Sequence, residues 1–95
     1  MSKTRELTAD DFARSLKRSQ RDRIASGEIR AGDIVALRRF VGLTQVEFAR
    51  AMGISVHTLR NWEQDRRTPE GPALALLRIA ARHPRIIRED AASAA

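Results

Sequence analysis

His57, Arg60 and Asn61 are separated by three, four and one residues, so on a helix they share one face, with Val56 beside them. An imidazole, a guanidinium fork and a carboxamide grouped in this way are suited to reading a hydrogen-bonded edge such as the rim of a base pair. Sets that break bonds are not evident. His57 and His83 lie far apart in a chain without cysteine, which leaves no basis for a zinc site or a thiol nucleophile. His57 reads as an exposed recognition or surface residue, and His83 as a residue at the negative end of the last helix. Ser15, Ser19, Ser26 and Ser55 have no nucleophile-elbow context, and neither Gly42 nor Gly53 belongs to a phosphate-binding loop. The expectation is a non-enzyme with no metal, no cofactor and no small-molecule substrate.

The elements that must position those side chains are written in residues 44–64. Thr44, with Glu47 three residues on, forms a capping box, so a helix starts at Gln45. Phe48 and Met52, with Ala49 beside them, give it one apolar face, and Gly53 supplies a left-handed stop. Ile54 points inward and Ser55 caps a second helix. Leu59 and Trp62 face the core there, while Val56, His57, Arg60 and Asn61 face out. A two-turn helix, a glycine turn and a second helix at a steep angle make a helix-turn-helix, which presents its second helix to the major groove. A plain helical hairpin is the alternative. Against it stands the joint placement of the small Ala49, Gly53 and apolar residues at 48, 52, 54, 59 and 62. On this geometry Arg60 suits guanine O6/N7, Val56 a thymine methyl, and His57 or Asn61 a hydrogen bond to a base.

Composition agrees with a polyanionic partner without specifying one. Eighteen Lys and Arg face twelve Asp and Glu, a net charge of +6. Ninety-five residues with 42% apolar content build one modest core that dimerisation would help. The absence of cysteine suits a reducing cytoplasm, the expected location. No apolar run approaches the roughly 20 residues of a membrane span, and no signal peptide is visible.

Along the chain, Thr8 can cap a helix from about Ala9 to Ser26 whose first turn holds Asp10 and Asp11. Its apolar stripe of Phe12, Ala13, Leu16 and Ile24 is thin and its other face is basic, at Arg14, Lys17, Arg18 and Arg21. It reads either as a solvated helix loosely packed on the core or as a partner-binding arm. Gly27 to Gly32 reads as a hinge, which makes 1–32 an arm distinct from a domain over 33–90. Asp33 opens a helix to about Val41, with Ile34, Leu37, Arg38 and Val41 on its inward stripe. An inward arginine needs a carboxylate partner. Asp65 to Thr68 is a basic loop, in which Arg66 and Arg67 either extend a DNA-facing rim or are solvated surface. The helix from Pro72 to Arg82 is apolar nearly all round and must be covered on two sides. A twofold-related copy is the simplest second cover, which assigns Leu76, Ile79, Ala80, Ile86 and Ile87 to a homodimer interface. Pro84 breaks that helix, and 91–95 reads as a disordered tail.

Residues 33–82 resemble the Cro/cI-like (XRE-family) helix-turn-helix repressors. The likeness rests on Leu43-Thr44-Gln45, Phe48-Ala49, Met52-Gly53-Ile54-Ser55, Leu59 and Trp62-Glu63-Gln64. The stretch Arg66-Arg67-Thr68-Pro69-Glu70-Gly71-Pro72-Ala73, followed by Leu76-Leu77-Arg78-Ile79-Ala80, is similar to the narrower HigA-type antitoxins. Asp65 departs from the family, which usually has glycine there. The resemblance implies an all-α, five-helix-type Cro/cI-like domain, preceded here by the N-terminal helical arm. It also implies that Gln45, Ser55 and Thr58 serve as phosphate or positioning contacts, and that Arg38 pairs with Glu63 across the domain. In function it implies a repressor of an inverted-repeat operator. Such a protein would be the antitoxin of a toxin–antitoxin module that represses its own operon and neutralises a HigB/RelE-like ribonuclease toxin through a segment outside the helix-turn-helix. Here that segment would be the arm, with Phe12, Leu16 and Ile24. A stand-alone regulator without a toxin, and an interaction adaptor that no longer touches DNA, are the competing readings.

Overall fold

The computed structural model describes residues 16–93, and over them the chain folds into six α-helices with no strand. They are α1 (Arg18–Ala25), α2 (Asp33–Val41), α3 (Gln45–Met52), α4 (Val56–Glu63), α5 (Pro72–Arg82) and α6 (Pro84–Ser93). The chain is therefore all-α, as expected. One core runs through it. Ile34, Leu37 and Val41 of α2 meet Phe48, Ala49 and Met52 of α3, Leu59 and Trp62 of α4, and Leu77, Ala80 and Ala81 of α5. Those positions recur at helical spacing, so each helix buries one stripe and leaves the opposite face to water.

The helix expected from Ala9 to Ser26 does not run unbroken. Leu16 and Lys17 are non-helical, Lys17 (φ −60°, ψ 142°) is the N-cap, and α1 begins at Arg18. Phe12 lies outside the described residues. Nor is α1 loosely held, for its most extensive contact is with α5, and Ile24, assigned from sequence to a toxin-binding stripe, is 0% exposed in the core. Burying that one side chain is worth about 1.5–3 kcal/mol, so Ile24 is an anchor and is not available to a partner. Leu16 is half-buried against the same core.

Arginines complete the attachment. Arg21 Nε donates to the Ala81 carbonyl at 2.7 Å and its Nη2 to that of Arg82 at 3.3 Å. In return Arg82 Nη2 donates to the Ala25 carbonyl at 3.0 Å. Each helix thus supplies cations to the open carbonyls at the other's C-terminus. The Arg21 guanidinium also sits 5.4 Å from the centroid of the Phe40 ring. A second tie lies at the start of α2, where Arg23 pairs with Asp33. Asp33 also accepts from Gln20 Nε2 at 3.3 Å and from the Arg30 backbone N–H at 2.8 Å. The segment read as a hinge is held at both ends.

These contacts change the reading of α5. One of its two apolar sides is covered within the chain by α1, so the twofold-related copy expected as the simplest second cover is not needed there. Ala80 and Ile87, assigned to a dimer interface, are buried in the monomer core. Ile79 and Ile86 remain 41% and 55% exposed, and Leu76 is half-buried. Pro84 ends α5, as expected, but it also opens α6, where a proline at the first helical position costs nothing because its missing N–H has no helical partner to lose. The tail expected from Ala91 is instead helical to Ser93, with Ala91 buried.

Candidate nucleic-acid interface

α3 and α4 are built by local signals. The Thr44 hydroxyl accepts from the Glu47 N–H at 3.2 Å, and Glu47 Oε1 accepts from the Thr44 N–H at 2.9 Å. Hydrogen bonding to the Glu47 carboxyl, from the Thr44 backbone N–H first and the Thr44 hydroxyl second, holds it below the usual carboxylate range. Gly53 (φ 72°) stops α3 in a left-handed conformation. Two residues on, Ser55 Oγ accepts from the Thr58 N–H at 3.0 Å and starts α4. Ala49 is buried in the core, 1% exposed.

Burying Leu59 and Trp62 fixes the roll of α4 and so decides which side chains it presents. His57 and Arg60 are exposed, and Asn61 is half-buried, with its Nδ2 3.4 Å from His57 Nε2. Val56 differs from expectation: it is half-buried and packs against the core, so only part of its side chain is left for a thymine methyl. Ser55 and Thr58 also bond each other, Oγ to Oγ1, at 3.0 Å. Arg66 and Arg67 are exposed in the following loop. Arg67 and Thr68 join His57, Thr58, Asn61 and Trp62 around a concavity of about 380 Å³ beside α4. Thr68 and Trp62 were not picked out as parts of this surface: Trp62 was assigned to the core face of α4, and only the return of the loop brings Thr68 there.

The structure brings Arg38 and Glu63 together. Arg38 Nε donates to Glu63 Oε2 at 2.7 Å, while its Nη1 donates to the Leu43 carbonyl at 3.1 Å. Glu63 Oε1 accepts from Gln45 Nε2 at 2.9 Å, and Gln45 Oε1 lies 3.5 Å from Arg60 Nε. Gln45, assigned from sequence to a phosphate, is thus engaged inside the protein, on a path from the ion pair to the exposed arginine. Positioning is the part of its assignment that this geometry supports.

Asp65 ends α4 with φ 59°, in the left-handed region. Its N–H donates to the Trp62 carbonyl at 3.2 Å and the Arg66 N–H to that of Asn61 at 2.8 Å, the bonding of a Schellman cap that normally carries glycine. The turn is the one glycine would make, held at a steric cost. Asp65→Gly is therefore expected to stabilise the chain by roughly 0.5–1 kcal/mol, the relieved strain exceeding the entropy glycine adds to the unfolded state. Thermal denaturation should show a midpoint a few degrees higher; a lower one would mean that the Asp65 side chain contributes more than its backbone costs.

Residues 34–79 match the helix-turn-helix family. The chain is 42% identical over 52 residues to antitoxin HigA-2 of Vibrio cholerae, a match covering 55% of this chain and 50% of HigA-2. It is 33% identical over 57 residues to the HTH-type transcriptional regulator YiaG of Escherichia coli, covering 60% of this chain and 59% of YiaG. The chain thus spans only about half the length of these relatives. No solved structure is significantly similar to it. Among the described residues no helix is long and apolar enough to cross a membrane, and no cluster of His, Cys, Asp and Glu could hold a metal ion.

Proposed function

This chain is a helix-turn-helix protein of the XRE type, similar to HigA, and from that premise we propose that it is a sequence-specific transcriptional repressor acting in the cytoplasm as the antitoxin of a toxin–antitoxin module. The observation that carries the DNA-binding half is the face of α4. Its apolar side is locked by Leu59 and Trp62 while His57, Arg60 and Asn61 stand together outside. Arg60 and Asn61, with His57 and the free part of Val56, meet base edges. Ser55, Thr58, Arg66 and Arg67 meet phosphates, and Gln45 orients Arg60. No catalytic role is assigned to any residue.

Two copies would meet through Ile79 and Ile86, with Leu76 at the edge, a smaller patch than the sequence suggested. Such a dimer would place its α4 helices about 34 Å apart on an inverted repeat. Arg60→Ala is expected to cost about 1–3 kcal/mol on the operator and little on random duplex. Arg66→Ala should weaken both alike and lower the slope of log affinity against log salt by about one unit. Fluorescence anisotropy on the two DNAs separates them. Equal losses on both for Arg60→Ala would remove it from base readout, and salt-insensitive binding with no operator footprint would favour the adaptor reading.

The toxin-binding half draws on the similarity to HigA-2. A basic arm would repel a basic RNA-cleaving toxin, yet Arg21 and Arg23 are committed to the chain's own carbonyls and to Asp33. The toxin contact is assigned to Phe12, with Glu6, Asp10 and Asp11 nearby in sequence. Because Ile24 is part of the core, the informative deletion is 1–15 rather than 1–32. It should leave operator binding intact and abolish neutralisation of the co-encoded toxin. Undiminished neutralisation would move the toxin to the helical domain, and the absence of any toxin gene beside this one would leave a stand-alone regulator.

A further inference from the structure

We infer that the surface receiving DNA runs past the helix-turn-helix to Arg30, which takes a backbone phosphate other than the one that meets Arg67. The inference rests on the proposal that α4 reads DNA. The concavity of about 380 Å³ beside α4 is lined by His57, Thr58 and Asn61 from the helix and by Arg67 and Thr68 from the loop after it. Arg67 and Thr68 also line a second concavity, of about 100 Å³, which the segment before α2 enters with Ile29, Arg30 and Ala31. A line of cations thus leads away from the reading helix, Arg67 first and Arg30 beyond it. The sequence did not place Arg30 there, because it lies in the stretch read as a hinge. Its backbone is instead anchored. The Arg30 N–H donates to Asp33 Oδ2 at 2.8 Å, the Asp33 N–H donates to the Arg30 carbonyl at 3.1 Å, and the neighbouring Ile29 packs against the core. Only the Arg30 side chain has freedom left to lose when it meets a ligand.

The present partner of that side chain is replaceable. Arg30 Nε and Nη2 each lie 2.6 Å from Glu28 Oε2, and the two side chains are 65% and 54% exposed. An ion pair so open to water contributes little to stability. A DNA phosphate brings a full charge and releases the counterion condensed on it. Glu28 therefore holds the guanidinium in the free protein and yields it to the phosphate. Asp65 is the one carboxylate among the residues lining the two concavities, and it stands before Arg66 and Arg67, so the loop keeps a net positive charge. Because Arg30 lies off α4, it meets the strand and not the base edges, and the contact carries no sequence preference.

The test uses the full chain, an operator selected from a random pool, and a random duplex. Arg30→Gln should weaken both alike, roughly 8-fold at 0.1 M salt, and lower the slope of log affinity against log salt by about one unit, the counterion release of one phosphate. Arg30→Lys, which keeps the charge, should recover most of the loss. Glu28→Gln should bind both duplexes more tightly than wild type, and that gain should shrink in the Arg30→Gln background. Melting curves should match wild type throughout, since the bonds between the Arg30 backbone and Asp33 remain. Removing a cation anywhere weakens DNA binding somewhat, so direct contact is read from the DNA. Operators carrying a single neutral methylphosphonate are scanned along the backbone. One position should cost wild type affinity and cost Arg30→Gln nothing further, and it should differ from the position to which Arg67→Gln is indifferent. Unchanged affinity and slope in Arg30→Gln, a loss confined to the operator, or a methylphosphonate profile identical to that of wild type would overturn the inference while leaving reading by α4 in place. A selection that returns no preferred sequence at all would overturn both.

Discussion

Glu63→Gln is expected to lower the melting midpoint by roughly 12 °C or more, the equivalent of about 3–5 kcal/mol in a domain of this size. The reason is burial. The side chains of Arg38 and Glu63 are 14% and 7% exposed, so little water reaches either. Glutamine keeps an oxygen for Arg38 Nε but removes the charge that balances the guanidinium, and Gln45 loses the carboxylate its Nε2 donates to. A pair on the surface would cost under about 1 kcal/mol, and a loss that small would place it there. A double substitution, Arg38→Met with Glu63→Leu, sharpens the test, since removing both charges together should cost less than removing one. Because Gln45 leads from Glu63 to Arg60, Glu63→Gln should also loosen the arginine proposed to read guanine.

Asp33→Ala should be comparably damaging, at about 3–5 kcal/mol, and for a different part of the molecule. Asp33 is 0% exposed and faces an Arg23 side chain that is 19% exposed. The substitution strands that guanidinium and leaves the Arg30 N–H and Gln20 Nε2 without their acceptor. Its distinctive consequence is local. The amide hydrogens of α1 should lose exchange protection before those of α3 and α4, because Asp33 joins the segment before α2 to the helix-turn-helix core. A melting midpoint within a few degrees of wild type, with α1 still protected, would show that Ile24 and the Arg21 contacts suffice to hold it.

The interface helices were legible because their signals are local. The capping pair Thr44 and Glu47, the left-handed Gly53, the N-cap Ser55 and the apolar positions 48, 52, 59 and 62 each act within a turn or two, and their periodicity alone defines which face of α4 is left for a partner. The path from Glu63 through Gln45 to Arg60 was not legible, since a phosphate contact and an internal bond are made by the same glutamine. The one unfavourable local sign, an aspartate where a glycine is usual, altered nothing in the geometry. The cap bonds to the Trp62 and Asn61 carbonyls hold it in the left-handed conformation.

Amino-acid order by itself therefore determined the helix-turn-helix and the outward set of His57, Arg60 and Asn61, because hydrogen-bonded caps and a 3.6-residue period act over a few neighbouring residues. Only the tertiary structure decided that α1 belongs to the same core, that Ala80 and Ile87 are spent inside the monomer, and that Pro84 opens a helix as well as closing one. The physical reason is range. A thin apolar stripe and a row of arginines look like a free, solvated helix until the carbonyls of Ala81 and Arg82 and the carboxylate of Asp33 come within reach, and folding alone brings them there.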